Sequence, residues 1–167
     1  QVVSLNDGIY LEEELRDTQK TKFCIGVAGY PEKHFESPNR DTDLQHLKKK
    51  VDAGADYIIT QMFFDNAKFH AFVKDCRDIG INVPIIPGLK PIYTKKQLTI
   101  LPKTFHIDLP TELSNEVLRC KTDLDVEKVG REWLLAQSKE LKAAGVPVLH
   151  YYTLGRPQLV ADVVKDI

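Results

Sequence analysis

The run of residues 53–65 constrains the fold of this chain more than any other segment. Residues 53–55 (Ala-Gly-Ala) predict the end of a helix, because glycine accepts the left-handed closing conformation. Residues 57–60 are short, β-favouring and without alternation, as is typical of a parallel strand covered on both faces. In α/β sheets and barrels, ligands bind at the carboxyl ends of such strands. Gln61 and Asp65 are therefore candidate site residues by position.

Composition limits the classes of protein to which the chain can belong. It has 167 residues, 43% hydrophobic and 28% charged, which suits one globular domain with a core. The net charge of -1 gives no electrostatic basis for binding nucleic acid or an anionic membrane. No apolar run approaches the roughly 20 residues that span a bilayer. The scattered Cys24, Cys76 and Cys120 predict buried free thiols in the cytoplasm, and no spacing suggests a metal.

Strand–loop–helix units recur along the chain. The predicted strands cover residues 23–28, 57–61, 83–87 and 148–152. The predicted helices cover residues 41–53, 69–79, 95–101, 111–120 and 123–144, with a last helix opened by Gly155-Arg156-Pro157. Pro102 is expected to stop the helix that starts at residue 95, and residues 4–19 are expected to be helical.

The alternation of strands and helices predicts an α/β fold with a parallel sheet and right-handed crossovers. Four strands alone would leave exposed sheet edges, whereas a (β/α)8 TIM barrel has about eight strands. The chain also starts without an initiator methionine. We therefore expect about half of a TIM barrel, made of four βα units, with the other half outside this chain.

Two groups of candidates lie in the first half of the chain. Tyr30 and His34, on the loop after the first strand, could stack on a cofactor and hydrogen-bond to it. Equally, Pro31 could fix a rigid turn in which His34 faces water. Four residues at helical spacing share a face: Asp43, His46, Lys49 and Lys50. The lysines could contact a phosphate, but from the residues alone we prefer a solvated helix face with pairs three and four positions apart.

Gln61 can both donate and accept hydrogen bonds, which suits recognition of the amide edge of a heterocycle. It could instead satisfy backbone groups at the strand end, but we favour the ligand because aromatic and polar side chains follow it. For Asp65 we favour capping of the next helix.

Lys90, in the sequence Pro-Gly-Leu-Lys-Pro, could form a Schiff base if it were desolvated, but we favour a surface lysine. Gln97 opens a helix and gives little information by itself. Arg156 stands at the start of the last helix, where the dipole favours anions. That mismatch indicates a carboxylate or phosphate ligand nearby; the alternative is an exposed arginine.

Four segments, in order, resemble methylenetetrahydrofolate reductase: residues 26–34 (GVAGYPEKH), 50–65 (KVDAGADYIITQMFFD), 85–91 (IIPGLKP) and 150–156 (HYYTLGR). The resemblance covers nearly the whole chain from Phe23 on. That family is a flavin-containing (β/α)8 barrel, which passes hydride from NADH or NADPH through FAD to 5,10-methylenetetrahydrofolate and so forms 5-methyltetrahydrofolate. The resemblance implies that residues 1–167 are the C-terminal half of the barrel, with the N-terminal half absent from the chain.

The resemblance also implies roles for the candidates. The FAD contacts would be Tyr30, His34, Ser37, Asp43, His46, Lys49 and Lys50, with the two lysines near the phosphates. Gln61 would bind the pterin and, in the alternate half-reaction, the nicotinamide. Gln97 would line the folate site, and Arg156 would lie near the folate.

Some family features differ here or lie elsewhere. Asn and Arg often stand where His46 and Lys49 stand, and some members have a substrate-packing Phe at the position of Leu101. The catalytic acid, a Glu, and an Asp beside the flavin belong to the N-terminal half. We therefore expect the 167-residue chain alone to be inactive, and the whole protein to self-associate as family members usually do.

Two other functions remain open. One is a Schiff-base lyase on the same barrel with Lys90 as nucleophile, and the other is a half-barrel binding module without catalysis. The choice between NADH and NADPH is open too, since no dinucleotide fingerprint is present.

Overall fold

A computed structural model describes residues 2–8 and 20–167. The strands are β1 (Gly26–Gly29), β2 (Tyr57–Met62), β3 (Ile85–Leu89) and β4 (His150–Tyr151). The helices are α1 (Val2–Asn6), α2 (Arg40–Asp52), α3 (Asn66–Asp78), α4 (Gln97–Phe105), α5 (Thr111–Arg119), α6 (Asp123–Ala143) and α7 (Pro157–Lys165). Each strand and helix expected beyond residue 20 is present with somewhat different ends. The helix expected over residues 4–19 lies largely outside the described residues.

The four strands form one parallel sheet in the order β1-β2-β3-β4. Gly26 pairs with Tyr57, Ile58 with Ile85, and Gly88 with His150. Because every strand pairs with the next one in sequence, each connection is a crossover through helices. The predicted α/β class is confirmed, and consecutive parallel strands are consistent with part of a (β/α)8 barrel.

The helices cover one face of the sheet. Along β2, Ile58, Thr60 and Met62 are buried, whereas the alternate side chains of Tyr57, Ile59 and Gln61 are partly exposed. The expectation that this strand is covered on both faces is therefore wrong for the described residues. Its apolar run suits either arrangement, because Ile and Tyr also tolerate half-burial on a pleated surface.

Two hydrophobic clusters form the core. The first lies between the sheet and helices α2, α3, α6 and α7, and the second lies around α4 and α5. Helix α6 belongs to both, because Val126 packs in the second cluster and Leu134 and Leu141 pack in the first. Thr122 and Asp125 form a capping box that starts this helix. With 21 residues, α6 is about 31 Å long, enough to reach both clusters.

Pro102 does not end α4, contrary to the sequence expectation, because the helix continues to Phe105. Proline removes one backbone hydrogen bond, and the following turn still closes through the N–H of His106, which donates to the Pro102 carbonyl at 2.9 Å. Leu101, only 2% exposed, packs in the second cluster with Ile107. This burial favours continued helix over the local preference of proline.

The cysteines differ in burial. Cys76 is buried, and burial raises the pKa of its thiol to about 11. Cys120 is half-buried and Cys24 is exposed, so the expectation of buried thiols is wrong for Cys24. Among the helices of residues 2–8 and 20–167, none combines the length and apolarity needed to cross a bilayer.

Candidate functional site at the carboxyl edge of the sheet

The ends of the strands and the loops that follow them carry several of the predicted site residues. Tyr30 follows β1, Gln61 lies near the end of β2, Lys90 follows β3, and Arg156 lies between β4 and α7. Because parallel strands end at the same edge of a sheet, these loops lie along one edge. We call it the carboxyl edge.

The β1 loop, residues 30–37, is organised by Asp43 from the first turn of α2. One carboxylate oxygen of Asp43 accepts the backbone N–H of His34 at 3.0 Å, and the other accepts the Ser37 hydroxyl at 2.9 Å. The Tyr30 and His34 rings meet edge to face with centroids 4.6 Å apart. Tyr30, His34, Ser37 and Asp43, to which the family resemblance gave FAD contacts, are therefore brought together. Burial, with the charges of Asp43 and Glu36, raises the pKa of Tyr30, so its phenol stays protonated near neutral pH.

Lys33 was missed by the sequence analysis. Its backbone is left-handed, with φ of 84°, and its ammonium donates to the carbonyls of His34 at 2.9 Å and of Ser37. Lys33 thus closes the β1 loop from within by donating to two of its backbone carbonyls. The sequence carries no signal for this role, because a lysine in a polar loop reads as a surface charge.

His46, Lys49 and Lys50 lie further along α2, and all three are exposed. Lys49 and Lys50 occupy the last turn, where a cation interacts favourably with the helix dipole. The i,i+4 ion pair observed on this helix joins other residues, Lys48 and Asp52. The exposure of Lys49 and Lys50 suits a solvated helix face and leaves both of their ammonium groups accessible to an anion.

Gln61 lies on the open face of β2. Its Oε1 accepts the N–H of Met62 at 2.9 Å, so half of the amide serves the backbone, as the alternative interpretation expected. Among the described residues, its Nε2 has no protein acceptor. Gln61 also lines a narrow crevice together with Tyr30, Phe105 and His106. The crevice joins the β1 loop to the end of α4.

Asp65 caps α3, with its Oδ1 accepting the N–H of Ala67 at 2.9 Å, and the capping interpretation is confirmed. Gln97 is 8% exposed, and its Oε1 accepts the N–H of Tyr93 at 2.8 Å. Gln97 therefore fixes the loop after β3, and only its Nε2 is left to meet a ligand.

Arg156 lies beside the same loop. Its guanidinium stands 4.8 Å from the centroid of the Tyr93 ring, and it forms an ion pair with Glu127 of α6. An anionic ligand was predicted near Arg156; within the protein the carboxylate that pairs with Arg156 is Glu127, and the ligand stays a prediction. The Arg156 side chain remains 49% exposed, so a second anion can reach it.

Lys90 is not the surface lysine that the sequence analysis favoured. It is 1% exposed, its Nζ donates to the Pro91 carbonyl at 2.9 Å, and it stands 4.3 Å from the centroid of the Tyr93 ring. Burial lowers the pKa of Lys90 from 10.5 to about 8. A Gly-Pro loop reads as exposed from sequence, but here the loop packs against α6, where the backbone of Ile92 meets Gly130.

The fold and this arrangement define a class: α/β proteins that gather polar loops at the carboxyl edge of a parallel sheet, as barrel enzymes do. Residues 7–167 match the family described as methylenetetrahydrofolate reductase. The chain belongs to this family.

Individual relatives agree with this membership. The chain is 37% identical to a probable methylenetetrahydrofolate reductase (NADPH) of Caenorhabditis elegans, over 92% of this chain and 23% of that protein. It is 40% identical to methylenetetrahydrofolate reductase (NADH) 1 of Arabidopsis thaliana, over 94% of this chain and 28% of that protein. It is 36% identical to 5,10-methylenetetrahydrofolate reductase of Buchnera aphidicola, over 84% of this chain and 49% of that protein. The chain thus spans about a quarter of the eukaryotic relatives and half of the bacterial one.

A solved structure shares the fold. It is an uncharacterized protein from Clostridium thermocellum, described as binding two copies of 5-methyl-5,6,7,8-tetrahydrofolic acid. The TM-score is 0.56 at 21% identity, over 84% of this chain and 51% of the other. At this identity the likeness concerns the fold alone.

Proposed function

We propose that this chain contributes to the NAD(P)H-dependent reduction of 5,10-methylenetetrahydrofolate to 5-methyltetrahydrofolate, with FAD as cofactor. The observation that carries the proposal is the grouping of Tyr30, His34, Ser37 and Asp43 beside Gln61, in a chain of the reductase family. A relative of the same fold is described as binding a methylated tetrahydrofolate, which also favours a folate site.

We further propose that residues 1–167 are the C-terminal half of the barrel. The support is the order of four parallel strands, together with a match to about half of the Buchnera relative. Under this proposal the catalytic Glu and the flavin-side Asp come from the N-terminal half. The 167-residue chain alone is then inactive, which turnover of NADH with methylenetetrahydrofolate by that chain would contradict.

The residues of the β1 loop and α2 suit FAD. Tyr30 is a protonated hydrogen-bond donor with an aromatic face, and Asp43 holds the backbone of His34 in place. The exposed ammonium groups of Lys49 and Lys50 would meet the phosphates, with His46 on the same helix. When bound, FAD would supply the hydride chemistry, and these residues bind and orient it.

On the substrate side, Gln61 would donate from Nε2 to the pterin and, in the alternate half-reaction, to the nicotinamide carboxamide. Gln97 would line the folate site, and Arg156 would bind a carboxylate of the folate through its exposed guanidinium edge. Leu101 is buried in the second cluster and would not stack on substrate. The proposal covers either nicotinamide donor, because the relatives include proteins named for NADPH and for NADH. A cytoplasmic location and self-association remain predictions.

The first test is the visible absorption spectrum of the product of the complete reading frame. We expect a bound-flavin spectrum that bleaches with NADH or NADPH and recovers with methylenetetrahydrofolate. A colourless protein that takes up no added FAD would overturn the proposal.

The lyase alternative has one observation in its favour, since the pKa of Lys90 is lowered as a Schiff-base lysine requires. Its Nζ, however, is enclosed and bonded to the Pro91 carbonyl, out of reach of a carbonyl substrate. Borohydride trapping of an aldehyde on Lys90 would revive this alternative. The non-catalytic binding module predicts folate binding without any flavin spectrum.

A further inference from the structure

Glu32 belongs to the Tyr30–His34 motif, yet the proposed function gives it no role. Its side chain is only 9% exposed and both carboxylate oxygens are engaged. Oε1 accepts from Lys68 Nζ of α3 at 2.6 Å, and Oε2 accepts the backbone N–H of Asp108 at 3.0 Å. A nearly buried carboxylate is tolerated only when it is paired in this way.

Lys68 completes the link, because its Nζ also binds the Asp108 carboxylate at 2.5 Å. The neighbouring cations are committed elsewhere: Lys33 donates to carbonyls of its own loop, and Arg40 binds Asp75 at 2.6 Å and donates to the Pro31 carbonyl at 2.8 Å. Lys68 is therefore the cation that balances Glu32. Burial raises the pKa of Glu32 and outweighs the opposite effects of Lys68 and the Asp108 N–H, so the carboxylate depends on both partners.

A second contact joins the same two segments. The ring of Phe35 in the β1 loop stacks on His106, with centroids 4.4 Å apart and an interplanar angle of 21°. His106 closes α4 in a left-handed conformation, with φ of 53°. Residues 106–108 are thus fastened to the β1 loop at two points, and they continue directly from α4, the helix that opens with Gln97.

We infer that Glu32 is a positioning residue that holds the β1 loop and the end of α4 in one arrangement, by binding Lys68 and the backbone of Asp108. The inference rests on the proposed function, because the β1 loop carries the FAD contacts Tyr30 and His34, while α4 carries Gln97 on the folate side. When a loop is already held in its binding conformation, ligand binding does not have to supply the free energy of ordering it. The protein therefore binds the ligand more tightly. Glu32 therefore supports FAD and folate binding without touching either.

The test uses the product of the complete reading frame, with the variants Glu32→Gln, Lys68→Gln and the double variant. FAD affinity is measured by flavin fluorescence, and kinetics are measured at saturating FAD. We expect each single variant to bind FAD about tenfold more weakly, the effect of losing one charge-assisted hydrogen bond. We expect a similar rise in KM for methylenetetrahydrofolate, with kcat unchanged within about twofold. The double variant should bind FAD no more weakly than the weaker-binding single variant, because the two substitutions remove the same link.

The matched control is Lys74→Gln, which breaks the exposed ion pair with Asp78 on the same helix. It should leave FAD affinity and KM unchanged. Hydrogen exchange in flavin-free protein gives a readout that does not depend on catalysis: Glu32→Gln should speed exchange at residues 30–37 and 105–108, and the control should not. If Glu32→Gln does not fold, Lys68→Gln tests the link from its other end.

The inference would be overturned if Glu32→Gln and Lys68→Gln both kept the wild-type FAD affinity and exchange rates. An equal loss of FAD affinity in the control, or additive losses in the double variant, would also overturn it. A parent protein that binds no FAD would instead overturn the proposed function, and the exchange comparison would still decide whether Glu32 orders the loop. Suppose the parent protein is an active reductase and the variants show unchanged FAD affinity and hydrogen exchange. The proposed function would then stand, and only the role of Glu32 would be removed.

Discussion

Replacement of the buried Lys90 by methionine should stabilise the protein at neutral pH and destabilise it at high pH. A lysine pKa lowered from 10.5 to about 8 means that the folded state holds the charged form unfavourably. At pH 7 this costs about 3 kcal/mol, because each pH unit between folded and unfolded pKa values is worth about 1.4 kcal/mol. Methionine has a similar length and carries no charge.

The substitution also removes the hydrogen bond to the Pro91 carbonyl, worth about 1 kcal/mol. We therefore expect Lys90→Met to be about 2 kcal/mol more stable at pH 7. Folded Lys90 loses its proton near pH 8 and unfolded Lys90 near 10.5, so in this window the unfolded state binds more protons and the wild type gains stability as pH rises. Above pH 10.5 the wild type should be the more stable protein, by about 1 kcal/mol.

Urea unfolding of both proteins at pH 7, 8.5, 10 and 11 measures this difference, while groups common to both proteins cancel. The control is Lys139→Met on α6, an exposed lysine whose replacement should change stability by less than about 0.5 kcal/mol. A Lys90→Met variant that is less stable than the wild type by the same margin at every pH would contradict this prediction, because the buried charge would then carry no cost.

The α3 cap, the contact between Gly130 and Ile92, and the Asp43 hydrogen bonds can each be tested by substitution. Asp65→Ala should lower the free energy of unfolding by about 1 kcal/mol through loss of the α3 cap, and Asp65→Asn should restore most of it in urea titrations. Gly130→Ala should destabilise by about 2 kcal/mol, although alanine favours helix, because the new methyl group would overlap the carbonyl of Ile92; a higher melting temperature would contradict this. Asp43→Ala should weaken FAD binding by about tenfold or more, since the β1 loop loses two hydrogen bonds, whereas His46→Ala should weaken it less. Flavin fluorescence measures both affinities, and equal affinities would refute the role of Asp43.

The alternation of strands and helices was predictable because its signals are local. Gly54 and Gly80 follow helices with φ of 109° and 80°, the left-handed closure that the sequence indicated. The β-favouring runs between such stops can only pair with one another, so the parallel sheet follows from the connections. The ends of helices are harder to predict, as Pro102 illustrates, because burial of Leu101 outweighs a local preference.

The candidate site was predictable as far as residue types at strand ends allow. Asp43 and Ser37 meet in the β1 loop as the family resemblance implied for one site, but the internal bonds of Lys33 have no counterpart in the sequence pattern. The burial of Lys90 was not predictable from the sequence either, because it depends on how the loop after β3 packs on α6, a helix distant in sequence. A ligand anion was predicted near Arg156, but the carboxylate that pairs with Arg156 in the structure is Glu127 of the protein itself, and sequence cannot distinguish the two.

Helix α6 has a consequence for cooperativity. Since Val126 belongs to one hydrophobic cluster and Leu134 and Leu141 to the other, this single helix bridges the two halves of the core. Opening either cluster exposes part of α6 and withdraws its support from the other. Amide protons near both ends of α6 should therefore share one opening free energy, so that the two clusters melt as a single unit.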